Sequence, residues 1–346
     1  MKRIKEFFKK KDVILSGKRY GIDALGAMAQ GLFCSLLVGT ILKTLGQQAG
    51  IDFLVQVGDF ASAMSGAAMA VAIGLALRAP ALVLFSLATV GYASNSIGGA
   101  GGPLAVLVIA IVAAECGKLV SKETKIDILV TPIVTILVGV GLAMLIAEPI
   151  GKAAMAVGDA VKWATNQQPF LMGILVSVII GIALTLPISS AAICAALGLT
   201  GLAGGAAVAG CCAQMVGFAV MSFRENRWGG LVAQGVGTSM LQMPNIIKNP
   251  RVWIPPTLAS AITGPIATCI FKLEMNGAPI SSGMGTCGFV GQIGVITGWA
   301  GKTVTAMDWV GLVLICFVLP AILSWVFCAI LRKWGWIKEN DLKLDL

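Results

Sequence analysis

The chain has 346 residues, of which 57% are hydrophobic and only 12% charged, with a mean hydropathy of +0.91. Soluble domains carry roughly 25% charged residues, so an ordinary soluble protein is excluded, and apolar runs repeating along the whole length read as a polytopic membrane protein. The net charge of +9 is not a nucleic-acid footprint: residues 1–20 hold eight basic and two acidic residues, immediately before the first apolar run, where such a cluster holds a terminus in the cytoplasm. Ten-residue alternating strands are absent, so the fold class is all-α rather than a transmembrane barrel.

In chain order, residues 4–20 form a basic amphipathic lead-in and residues 21–45 a first span. An outer loop with Asp52 and Asp59 follows, then a Gly/Ala-rich span over 60–77 that ends at Arg78. Residues 81–94 are short for a crossing, which needs about 20 residues, and SNSIGGAGGP reads as a flexible turn. Spans over 104–119 and 126–146 flank the charged loop VSKETK. Residues 148–169 are too polar to span and suit an interfacial helix anchored by Trp163. Further spans are expected over 170–186, 188–199 and 202–223, followed by the basic SFRENR, then over 251–271 and 308–331. The expectation is about ten transmembrane helices with both termini cytoplasmic.

Two stretches do not read as lipid-facing helix: GLVAQGVGTSMLQMPN (230–245) and SSGMGTCGFVGQIGVITG (281–298). Both carry G-x-G-T, at Gly235, Gly237 and Thr238 and again at Gly283, Gly285 and Thr286. Irregular backbone survives at membrane depth only when buried in protein or lining a wet cavity. The flanking charges predict two re-entrant segments that enter from opposite sides. Free N–H groups at such breaks suit an oxygen-rich ligand.

The chemistry available is that of binding. Phosphate loops, H-E-x-x-H and dinucleotide fingerprints are missing, and histidine is absent altogether, so no catalytic residue, metal ligand or cofactor site is expected. The nine cysteines lie mostly in apolar runs and read as small buried hydrophobes. Gln214, Gln234, Gln242, Asn245 and Gln292 are amides in apolar sequence. Amides both donate and accept, so a converging set suits a neutral, hydroxyl-rich solute; equally, they satisfy carbonyls freed at helix breaks. Glu115 either lines the path or pairs with Lys118 on the same helix face. Arg224, Glu225 and Arg227 either anchor a helix end or form a cytoplasmic mouth that meets an anionic substrate or a phosphorylated partner. The tryptophans at 163, 228, 253, 299, 309, 334 and 336 read as interfacial anchors.

The stretch GCCAQMVGFAVMSFRENRWGGLVAQGVGTSMLQMPNIIKNPRVWIPPTLASAITGP (210–265), with LVSKETKIDILVTP and GMGTCGFVGQIG, resembles the membrane-embedded IIC family of the phosphoenolpyruvate-dependent sugar phosphotransferase system. More narrowly it resembles the stand-alone branch that includes perfringolysin O regulator-like membrane proteins, and the likeness runs over residues 15–335. It implies a permease for a small polar solute in a bacterial cell membrane, assembled as a homodimer and served by a separate soluble IIB protein that carries the phosphoryl group. It also implies a division into a lead-in (1–20), a dimerisation side (21–168), a transport side (169–331) with the two G-x-G-T segments, and a cytoplasmic tail (332–346). The chain departs from many sugar IIC proteins in having no histidine and no recognisable copy of their acidic motif at Glu225. A non-transporting regulator and an ion-coupled transporter therefore stay open as alternatives.

Overall fold

The structure, a computed structural model, describes residues 2–300 and 303–344. Its regular elements are helical, and the one strand-like pairing among the described residues is an antiparallel bridge between Gly201 and Met275. In hydrocarbon each backbone N–H and C=O needs a partner within its own segment, and helices supply it.

The expectation of about ten crossings is corrected. Five helical stretches are long and apolar enough to span a bilayer: Arg19–Ala49, Ala81–Val120, Asp127–Thr165, Gly201–Met221 and Ala306–Lys333. The bent pair Asp52–Ala63 and Ser65–Ala76, 49° apart, raises the number to six. Two expected spans, 81–94 and 104–119, run on as one helical stretch, and those expected over 170–186, 188–199 and 251–271 form α-helices of only 17, 7 and 12 residues. Residues 94–103, expected as a loop, stay helical; Gly99, at φ +51°, folds Ala81–Gly98 back on Gly102–Val120, so that Gly117 lies against Val83. Polar residues 148–165 continue the preceding helix through a π-turn instead of lying apart. The run after Pro187 yields only the seven-residue helix Ser190–Ala196, far short of the roughly 30 Å of hydrocarbon at 1.5 Å per residue. Nor are the two glycine-rich segments a pair of re-entrant helices. They are short turns and helices buried in protein, and the bent apolar pair lies elsewhere, at residues 52–76.

The chain divides into two compact units, one comprising residues up to Gly46 with Gly50–Ala153, the other Ala154 onward with Gln47–Ala49. In the first unit a polar clasp fixes the basic lead-in. Lys118, 2% exposed, donates to Asp12 O (2.6 Å) and Leu77 O (3.0 Å) and lies 3.0 Å from Glu115 Oε2. Arg19 donates to Asp12 Oδ2 (2.6 Å) and Leu77 O (2.6 Å), and Tyr20 donates its hydroxyl to Glu115 Oε1 (3.1 Å). Lys11 donates to Ser121 O and pairs with Glu123 at 2.5 Å. Lys118 caps the Leu77 carbonyl where Ser65–Ala76 ends, so a buried cation is matched by backbone dipoles and two carboxylates, Glu115 and, at 3.8 Å, Asp12.

The second unit is built around Gly201–Met221, whose apolar window is 94% buried, against 22% for Asp127–Thr165. The helices Pro169–Thr185, Ile254–Pro265 and Ala306–Lys333 pack on it. An apolar helix enclosed on all sides is a core helix, whereas one left largely uncovered faces lipid. Close approach needs glycine: a Cβ at Gly210 would fall 1.9 Å from Ser177 O, and one at Gly205 1.7 Å from Leu273 O. Ser177 then donates to Ser260 O (2.8 Å), tying Pro169–Thr185 to Ile254–Pro265. The core beside this helix holds Val208, Cys212, Ala267, Met275, Val295 and Ile315.

Candidate functional site

The helix Gly201–Met221 carries Gln214, fully buried, into the second unit. Its Oε1 accepts from the Trp253 indole N–H (3.0 Å) and the Thr185 hydroxyl (3.3 Å), while Nε2 donates to Thr257 Oγ1 (3.3 Å). Trp253 is thus an internal donor rather than an interfacial anchor. Thr185 also shares a 2.8 Å hydrogen bond with Ser239, which links this hub to the first G-x-G-T segment.

That segment breaks the helix Phe223–Val232 through a π-turn at Ala233–Gly237, after which Thr238 is extended and Ser239–Gln242 is a 3-10 turn. The Thr238 hydroxyl accepts from Met240 N (3.1 Å), capping the turn. Three of the predicted amides form a relay: Gln242 Nε2 donates to Gln234 Oε1 (2.8 Å) and Asn245 Nδ2 donates to Gln242 Oε1 (2.8 Å). Gln234 Nε2 is spent on Ser222 Oγ and Gly230 O, both at 2.9 Å. A Cβ at Gly235 would make ordinary contact with Ala219 Cβ at 3.5 Å, without a clash.

The far end of the relay holds the C-terminal tail. Gln242 Nε2 donates to Leu342 O (3.0 Å), Asn245 Nδ2 to Lys343 O (2.8 Å) and Asn226 Nδ2 to Leu342 O (2.8 Å); Leu344 N donates back to Asn226 Oδ1 (2.8 Å). Asn249 Nδ2 binds Trp336 O (2.9 Å) and Asp341 Oδ2 (2.8 Å). Ile337 and Leu342 are buried beneath these bonds. Sequence reasoning missed Asn226, Asn249 and the tail itself; the available signal was Ile337, Leu342, Leu344 and Leu346 inside an otherwise polar and charged terminus.

The second G-x-G-T segment packs on the same central helix. Gly283 O accepts from Ser190 Oγ (2.7 Å), and Gly285, at φ +53°, sets its Cα where a Cβ would meet Cys211 at 2.6 Å. Thr286 donates to Met215 Sδ (3.5 Å), and Gln292 Nε2 to Cys212 Sγ (3.2 Å). Gln292 is 4% exposed and its Oε1 has no partner. The turn Cys287–Phe289 touches the π-turn Ala233–Gly237, so the two segments meet beside Gly201–Met221.

Of the remaining predicted residues, Glu225 pairs with Arg332 at 2.5 Å, while Arg224 and Arg227 line a separate cavity. Glu115 lies in the first unit's clasp. Among the described residues no three His, Cys, Asp or Glu side chains converge at metal-binding spacing. The groups gathered by the two segments are uncharged amides, hydroxyls and sulfur atoms, an environment suited to a neutral polar molecule.

Residues 22–344 match the family model described as Phosphotransferase system, EIIC. The chain belongs to the phosphotransferase system EIIC family. No curated protein and no solved structure matches it. The match is to the EIIC family as a whole and does not single out the perfringolysin O regulator-like branch. As an EIIC protein with five or six long apolar helical stretches, it is a multi-pass membrane protein with an IIC-type permease fold.

Proposed function

We propose that this EIIC protein is a permease for a small neutral polar solute of the sugar class, bound where the two G-x-G-T segments meet. Gln292 is its principal contact, with Thr286, Gly283 and Gly285 on one side and Gln214, Gln234, Gly235, Gly237, Thr238, Gln242 and Asn245 on the other. The observation that carries the reading is the unpartnered Gln292 Oε1. A buried acceptor left unpaired costs about 1–3 kcal/mol, a cost that a solute hydroxyl would remove. The amide's only bond, Nε2 to a cysteine sulfur, is weak and easily exchanged. The site is closed in this conformation, so solute entry requires the segments to move apart.

The second unit forms the transport side and the first unit the dimer contact, with both termini cytoplasmic. Where transport is coupled to phosphotransfer, the phosphoryl group comes from a separate phosphorylated IIB protein. A second reading, a non-transporting sensor on the IIC scaffold, has one observation in its favour: the tail's backbone already occupies donors of Gln242 and Asn245. Uptake of labelled sugars and polyols into vesicles containing the purified protein separates the two. A permease accumulates or exchanges at least one of them, and a sensor binds without flux.

A further inference from the structure

The helix Ala306–Lys333, the end of Gly201–Met221 and the start of Phe223–Val232 enclose a cavity of about 440 Å³, within the size range of small-ligand clefts. Its apolar wall is formed by Val220, Trp325 and Ala329, and its rim carries Arg224, Arg227 and Arg332. The three guanidinium groups are unequally neutralised. Arg332 has Glu225 at 2.5 Å, a carboxylate only 3% exposed. Arg224 reaches its nearest carboxylate, Glu339, only at 4.0 Å, with both side chains about three-quarters exposed, and such a pair contributes little. Among the described residues no carboxylate pairs with Arg227. Arg227 also holds φ +52° and ψ −150° inside its helix, a region that favours glycine. The chain tolerates that strain while presenting a cation to the cavity.

The vertical order of the groups indicates what fills it. Ala329 and Trp325 lie one and two helical turns before Arg332, so all three share a face, with the indole about 10 Å deeper along the axis. Arg332 and Lys333 close the span, and the neighbouring Trp228 and Trp334 are 71% and 64% exposed, as tryptophans at a membrane–water boundary are. Trp325 is itself 59% exposed and, about 10 Å along the helix from Arg332, lies inward of that boundary. The cavity therefore has cations at headgroup level and an uncovered apolar wall beneath them. Basic pockets between spanning helices in this position take anionic headgroups.

We propose that this cavity is a binding site for an anionic phospholipid, its phosphodiester held by the Arg224 and Arg227 guanidinium groups and its acyl chain lying along Val220, Trp325 and Ala329. Arg332 stays committed to Glu225. A free phosphate ester or a phosphorylated protein would use the same cations but would leave the apolar wall unused. The site is independent of solute transport.

The test is native mass spectrometry of the purified full chain released from nanodiscs of equimolar phosphatidylglycerol and phosphatidylcholine, with thermal unfolding in nanodiscs of either lipid alone. Wild type should retain phosphatidylglycerol about tenfold over phosphatidylcholine, equivalent to about 1.4 kcal/mol, and should melt higher in the anionic lipid. Arg224→Gln with Arg227→Gln should abolish both differences, and the Arg→Lys pair should restore most of the retention. If the Gln pair fails to fold, Trp325→Ser should reduce retained lipid while leaving the arginines in place. Equal retention of the two lipids, or unchanged preference in the Gln pair, overturns the proposal. So does displacement by millimolar inorganic phosphate without lipid preference, or loss of a phosphorylated soluble partner in the Gln pair while lipid retention is unchanged.

Discussion

At the scale of single residues, Gln292 and Asp12 make opposite predictions about substitution. Replacing Gln292 by Met keeps the side chain's length and removes an acceptor that has no partner, so the melting temperature should stay level or rise. Solute affinity should fall at least about tenfold, the loss expected for about 1.4 kcal/mol. A fall in melting temperature measured by thermal shift would mean that Gln292 is a packing residue. Asp12 belongs to the lead-in outside the spans, where the hydrogen bond from Arg19 holds its carboxyl below the ordinary range, helped by the charges of Arg19 and Lys118 against some desolvation. A depressed folded value means the contribution is present above the ordinary pKa of about 3.9 and is lost as pH falls through the lower folded value. Asp12→Asn should therefore lower the melting temperature at pH 6, and the difference from wild type should shrink as pH falls through the lowered folded value, with a modest amplitude because the pair is partly exposed.

At the scale of elements, the Gly201–Met221 helix and the tail carry the second unit. Gly210→Ala forces a methyl to within 1.9 Å of the Ser177 carbonyl, and overpacking of this kind costs about 1–3 kcal/mol; the variant should melt lower or fail to accumulate. Deleting residues 337–346 strips acceptors from Asn226, Gln242 and Asn245. Each lost bond costs about 0.5–1.5 kcal/mol, so thermal unfolding should come several degrees earlier, while a permease should still show uptake. This scale was partly legible in the sequence. The amides and paired G-x-G-T glycines pointed to buried irregular backbone because such groups have no place against lipid, and the two segments do meet. The hold of Gln242 and Asn245 on the C-terminal tail was not legible, because a hydrogen bond between residues about a hundred positions apart leaves no local pattern. Counting crossings failed for a related reason. Hydropathy registers apolar length but not a fold-back at Gly99 that stays helical, nor the breaks that leave residues 170–199 and 254–265 as short helices.

For the whole molecule, composition alone gave the membrane class, since a mean hydropathy of +0.91 cannot be dissolved in water as a compact domain. Membership of the EIIC family extends from residue 22 to residue 344 and so covers both units. On the proposed reading, what the chain moves is decided by a handful of neutral groups in the second unit, and neither length nor charge specifies it. The central claim is that these groups bind a neutral polar solute and carry it across the bilayer. Its most direct test is uptake of a panel of labelled hexoses, disaccharides and polyols by vesicles containing the purified wild type or Gln292→Met, with and without a phosphorylated IIB protein. Saturable accumulation of at least one compound by wild type, reduced about tenfold or more in apparent affinity by Gln292→Met, is the predicted result. Absence of flux for every compound under both conditions, or equal flux by wild type and variant, would contradict it.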